Sequence, residues 1–231
     1  MNPLVVGHAV VQGVLVKRRA ERMPEAAGVR GTIAHTTADP EQRLRLVVLG
    51  DSSAAGIGVD HNQDGMAGQT ALHLMRARAV HVDWEVRGMG GLTAGELVGY
   101  VQQEPMADAG VVVVAVGVND TKNLHSRRRW RRELSQLFEL ISGAAPRAEI
   151  AYLAVPPLEA FPLLPHPLSE VLGRRARQMG AISAELAAAH PRVRRIELSV
   201  PADPAMWARD GFHPSARLYA QFGQEIVAAL G

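Results

Sequence analysis

"GVVVVAVG", residues 110–117, sets four consecutive valines between small residues with no polar position among them. β-Branched side chains favour extended backbone, and an unbroken apolar run of this length suits a strand covered on both faces, as in a parallel sheet. Four further runs of strand length flank it: "LRLVVLG" (44–50), "VDWEVRG" (82–88), "AEIAYLAV" (148–155) and "RVRRIEL" (192–198). Longer helix-compatible stretches follow each strand, from "GMAGQTALHLMRARA" after the first to "PSARLYAQFGQEIVAAL" at the end of the chain. Strict β/α alternation predicts an α/β fold, a three-layer α/β/α sandwich around a parallel sheet of about five strands.

The 231 residues, 47% hydrophobic, can bury one substantial core. Residues 44–231 are therefore read as one domain and residues 1–43 as an N-terminal extension. The net charge of +2 comes from 25 basic and 23 acidic residues, a small excess that does not point to nucleic acid. With no cysteine, disulfides, thiolate metal sites and a cysteine nucleophile are excluded, while the compartment is left open. "LVVGHAVVQGVLV", residues 4–16, is apolar and precedes "KRRAER", yet no basic region comes before it and no small-residue cleavage site after it. It is expected to pack on the domain as a helix in a cytoplasmic protein. The alternative is peripheral membrane contact through residues 4–19, with Lys17, Arg18 and Arg19 snorkelling. Residues 24–43, rich in Pro, Gly, Thr and Ala, read as an irregular linker.

In open α/β sheets, ligands collect at the carboxyl ends of the strands. The first strand ends in Gly50-Asp51-Ser52-Ser53, the second in "GMGGLT" (88–93) and the third in Gly117-Val118-Asn119-Asp120, while "ARDGFHPS" precedes the last helix. The first of these turns is not a phosphate cradle. Ala55 stands where a P-loop needs its second glycine and no lysine follows. Ser52 occupies the second glycine of a dinucleotide fingerprint, and Ala54 breaks the G-x-S-x-G elbow.

"GDSS", "RGMGGLT", "GVND" and "DGFHP", in this order across residues 50–214, together resemble the GDSL or SGNH hydrolase family. One position departs from that pattern, since Val86 stands where the second block often has Asn. The resemblance implies a flavodoxin-like sandwich, no cofactor and no metal, and a small-molecule ester or lipid substrate. Ser52 would be the nucleophile, His213 its general base, and Asp210 the group that holds the imidazole. The oxyanion donors it implies are the backbone N–H groups of Ser52 and Gly91 and the side-chain amide of Asn119. Ser53 is expected to cap the helix after strand one, and Asp120 the helix after strand three. The family's range includes esterases, lipases, thioesterases and carbohydrate deacetylases. Two other readings remain: an inactive acyl- or glycan-binding domain, and a metal-dependent hydrolase ligated by Asp210 and His213.

"RRRWRR" (127–132) reads as the solvated face of an amphipathic helix. The other eight histidines show no metal-ligand spacing. Residues 155–168 combine five prolines with Phe161, Leu164 and other apolar side chains just past a strand end. This loop is expected to line an acyl pocket through Phe161 and Leu164, with short to medium acyl esters preferred.

Overall fold

Every valine of the 111–114 run is fully buried, and alternate ones serve opposite cores. In the computed structural model, which describes residues 3–19, 21–102 and 105–231, the elements run in the following order. Helix α1 (Pro3–Arg19) precedes β1 (Arg30–Ile33), β2 (Arg43–Gly50), α2 (Met66–Arg78), β3 (His81–Gly88) and α3 (Ala94–Val101). Then come β4 (Val111–Ala115), α4 (Val118–Lys122), α5 (Arg127–Ala144) and β5 (Glu149–Leu153). The chain finishes with α6 (Leu168–Ala188), β6 (Val193–Ile196) and α7 (Ala216–Leu230).

The six strands lie in the order β1-β3-β2-β4-β5-β6, all parallel except β1. Among the parallel five, the order is the 2-1-3-4-5 of flavodoxin-like sheets. Direction reverses at β2, so the carboxyl ends of β2 and β4 form the switch point where a crevice opens. Val112 and Val114 pack with Leu97, Trp130, Phe138 and Met179 of α3, α5 and α6. Val111 and Val113 pack on the other face with Met66, Leu74, Leu218 and Phe222 of α2 and α7. The α/β/α sandwich is thus the observed fold.

The sheet has one strand more than expected, because part of the supposed 24–43 linker is β1. Its residues pair antiparallel with β3, and only two of its four positions are even partly buried, so the sequence carries no apolar run there. What holds it is tertiary. Gly31 lies against the Trp84 ring, where an added Cβ would come within 2.4 Å, and Arg30 pairs with Glu85 at 2.8 Å. Burial would raise the Glu85 pKa, but hydrogen bonds from Arg87, Arg30 and Arg45 hold it at about 2. Outside the sheet, α1 lies on α6, with the Gln12 amide donating to the His166 carbonyl at 2.8 Å and accepting from the Leu168 N–H at 3.0 Å.

Candidate active site

Strand β2 ends on Gly50 at φ +152°, where an added Cβ would sit 2.0 Å from the Ala115 carbonyl oxygen. Only glycine can turn the chain this close to β4. The next residues form a tight turn, with Ala55 N–H donating to the Asp51 carbonyl at 2.9 Å and Ile57 N–H to the Ser52 carbonyl at 3.0 Å. Ser52 is half-buried at the start of that turn. Its own N–H has no protein acceptor among the described residues. Ser53 does not cap a helix as expected. Helix α2 begins only at Met66, capped by Gly65, and it is the Asp51 carboxylate that accepts the Ser53 N–H, at 3.1 Å.

Asn119 joins three blocks. It sits buried in the first turn of α4, and its amide donates to the Leu92 carbonyl at 2.9 Å and to the Asp51 carboxylate at 3.4 Å. The glycine block and the Ser52 turn are therefore tied to the end of β4 through one side chain. Asp120, expected to cap its own helix, instead accepts from the N–H of Ala94, the first residue of α3, at 3.1 Å. Helix α4 starts from Gly117, whose φ of +127° no capping aspartate would adopt. Gly91 takes φ +95° with no atom within 4 Å of where a Cβ would sit, and its N–H too is unpaired among the described residues. It is exposed, outside the lining of the cleft described next.

The loop before α7 carries a short carboxylate–imidazole contact. The Asp210 carboxylate and His213 Nδ1 are 2.6 Å apart, and the same carboxylate accepts the backbone N–H groups of Phe212 and His213 at 3.0 Å each. Burial would raise the Asp210 pKa, but these three hydrogen bonds outweigh it and hold the group at about 2. Asp210 is thus an anion at neutral pH, aimed at one ring nitrogen, and the other is left for chemistry. Gly58 brings this loop against the Ser52 turn: at φ +113°, a Cβ there would lie 2.1 Å from the Pro214 carbonyl oxygen. The Tyr219 hydroxyl donates to the Ile57 carbonyl at 2.8 Å and locks the approach.

Between the two segments opens a cleft of about 680 Å³, counting its solvent-facing mouth. Ser52 and His213 both line it, with Val155, Phe161, Trp207 and Phe212 among its apolar walls. Phe161 packs on Trp207 and Phe212 at ring separations of 4.7 and 5.1 Å, and Phe212 on His213 at 5.2 Å. Leu164 is not on the cleft surface; it packs partly buried against the core behind it. The loop is braced to the histidine segment by the Leu163 N–H, which donates to the Gly211 carbonyl at 2.9 Å. Trp207 and Phe212 were not anticipated as walls, although Phe212 lies inside the "DGFHP" block. Nor was the bracing by residues 25–27, where Glu25 accepts the Gly90 N–H at 2.6 Å and Ala26 N–H donates to the Ala55 carbonyl at 3.1 Å.

Among the described residues, one group of side chains has metal-ligating character, Asp120, His125 and Glu133, with donor atoms within 4.8 Å of one another. Asp120 and His125 are paired at 3.0 Å and Glu133 with Arg129 at 2.8 Å, away from the cleft lining. Asp210 and His213 gather no third ligand among the described residues.

Burial raises the Asp51 pKa from 3.8 to about 6, with the nearby charge of Asp120 adding to it, against the Ser53 hydrogen bond and the charges of Lys122 and His213, which favour the anion. Between pH 4 and 6 the folded chain holds a proton that the unfolded chain releases, so this group's contribution to stability falls as pH rises through that window. Two pKa units correspond to about 3 kcal/mol. Asp51→Asn, which cannot titrate, should therefore gain stability relative to wild type on going from pH 4 to pH 7, measured by urea unfolding at both values. A constant difference would mean that Asp51 is ionised throughout.

The sequence matches the model of the GDSL-like Lipase/Acylhydrolase family over residues 48–221. No curated protein matches the chain significantly. Among solved structures, the esterase EstA from Pseudoalteromonas sp. superposes with a TM-score of 0.61 at 14% identity, covering 80% of this chain and 96% of that one. The lipase/acylhydrolase from Enterococcus faecalis gives 0.61 at 19% identity, covering 80% and 94%. Est24, a carbohydrate acetylesterase from Sinorhizobium meliloti, gives 0.58 at 18%, covering 81% and 100%. At these identities the structures share the fold, and the family follows from the match that runs from β2 into α7: the chain belongs to the GDSL-like lipase/acylhydrolase family.

Proposed function

We propose that this hydrolase cleaves carboxylic esters of short to medium acyl chain length through an acyl-enzyme on Ser52. The observation that carries the reading is the Asp210–His213 contact at 2.6 Å, with His213 lining the same cleft as Ser52. With Nδ1 turned to Asp210, His213 presents Nε2 to take the Ser52 proton as the hydroxyl attacks the ester carbonyl. The same nitrogen then protonates the departing alcohol, and water resolves the acyl-enzyme with His213 again as base.

The tetrahedral oxyanion would be met by the unpaired N–H groups of Ser52 and Gly91 and by the Asn119 amide. Asn119 can turn one N–H to it by giving up its longer contact, the one at 3.4 Å to Asp51. Such donors act because they are held in place before charge develops. The apolar walls favour an acyl chain over a sugar, which sets this reading ahead of a carbohydrate deacetylase.

The test is a series of nitrophenyl esters of increasing acyl length, with acetylated sugars alongside, assayed on wild type and Phe161→Ala. Wild type should prefer the shorter esters to the sugars. Phe161→Ala should move the length optimum, with relative kcat/KM changing several-fold between adjacent lengths because each buried methylene is worth about 0.8 kcal/mol. Absence of ester hydrolysis in the folded protein would overturn the function. An unmoved profile in Phe161→Ala would overturn only the placing of the acyl group.

A further inference from the structure

Helix α1 is apolar on two faces, and only one of them is covered. Gln12, Gly13 and Val16 face α6 and the core, and Ala9 is buried. On the opposite side Val10 and Val11 are each 58% exposed, Val14 47% and Leu15 42%. At 100° per residue these four occupy one arc of about 140°. The helix ends in Lys17, Arg18 and Arg19, with no acidic residue anywhere along it. Arg18 falls within the apolar arc and Lys17 at its border, so charge and apolar surface share one side.

The patch is not an isolated accident of the surface. Seven large apolar side chains are exposed among the described residues; four are on α1, and two more, Met89 and Leu124, are on loops at the carboxyl edge of the sheet. The basic end of α1 lies on the side of the domain that carries Lys122, a neighbour of the cleft wall. Lys122, whose ammonium lies 5.7 Å from the centre of the cleft-lining Phe212 ring, has a pKa lowered by desolvation, and the charge of Lys17 adds to that effect. No helix among the described residues is long and apolar enough to cross a membrane.

We propose that the outer face of α1 docks the protein onto a bilayer containing anionic phospholipid, lying in the interface with its cationic end and the mouth of the cleft beside it. The apolar arc enters the headgroup boundary while the three consecutive basic residues meet anionic phosphates. The same helix in a second copy of this chain offers no acidic residue to meet these three cations, and that complementarity selects anionic lipid over self-association.

The experiment is co-sedimentation of the full chain with vesicles of phosphatidylcholine alone or with a third phosphatidylglycerol, at low and high salt. Binding should need the anionic lipid and weaken with salt. Val11→Ser with Leu15→Ser, and separately Arg18→Glu, should each lower the bound fraction at least several-fold while thermal stability and hydrolysis of a soluble ester stay unchanged. Wild type that ignores both vesicles, or variants that bind as wild type does, would overturn the proposal. So would a concentration-dependent dimer that Val11→Ser with Leu15→Ser abolishes while vesicles are ignored.

Discussion

Replacing Ser52 by alanine is expected to lower kcat/KM for a nitrophenyl ester by about a thousandfold or more, the scale on which loss of a nucleophile is felt in enzymes of this chemistry. Ser53→Ala should stay within a few-fold of wild type. The two serines are adjacent and both border the cleft, so position alone does not separate them. Their backbones do. The Ser53 N–H is held by the Asp51 carboxylate at 3.1 Å, and alanine keeps that bond, while the Ser52 N–H is left unpaired beside the hydroxyl that would attack. Steady-state kinetics on the two variants decides the matter. A Ser53→Ala enzyme that is dead beside an active Ser52→Ala would move the nucleophile by one residue.

Asn119→Ala should lower kcat by about a hundredfold to a thousandfold, with a smaller change in KM, because an oxyanion donor acts most strongly in the transition state. The same change removes the donor to the Leu92 carbonyl at 2.9 Å, in a residue only 4% exposed. Leaving that buried carbonyl without a partner should cost about 1–3 kcal/mol of stability. The two effects separate if rates are referred to the folded fraction measured by urea unfolding. If the KM rises and kcat does not fall, Asn119 binds substrate and does not stabilise the oxyanion.

The sheet was legible where side chains repeat a local pattern. The buried runs at 46–49 and 111–114 announced β2 and β4, and the helices around them carry clear apolar faces. Strand β1 was hidden because its four residues alternate exposed and half-buried positions and owe their geometry to Trp84 and Glu85, more than fifty residues away. Helix α4 has five residues, too few for any period to show. In the site, Ser52, Asn119, Asp210 and His213 could be named because each lies in a short ordered block. The walls could not all be, since which apolar side chain reaches the cleft depends on contacts such as Leu163 with Gly211 and Phe161 with Trp207. Leu164, three residues beyond Phe161, shares its chemistry but faces the core.

The central claim is that Ser52 becomes covalently acylated under the action of His213. Its most direct measurement is labelling of the purified chain with a fluorophosphonate, followed by peptide mass spectrometry in wild type and His213→Ala. One adduct is expected, on Ser52, formed far more slowly without His213. An adduct on another residue, or none in a preparation that hydrolyses esters, would contradict it.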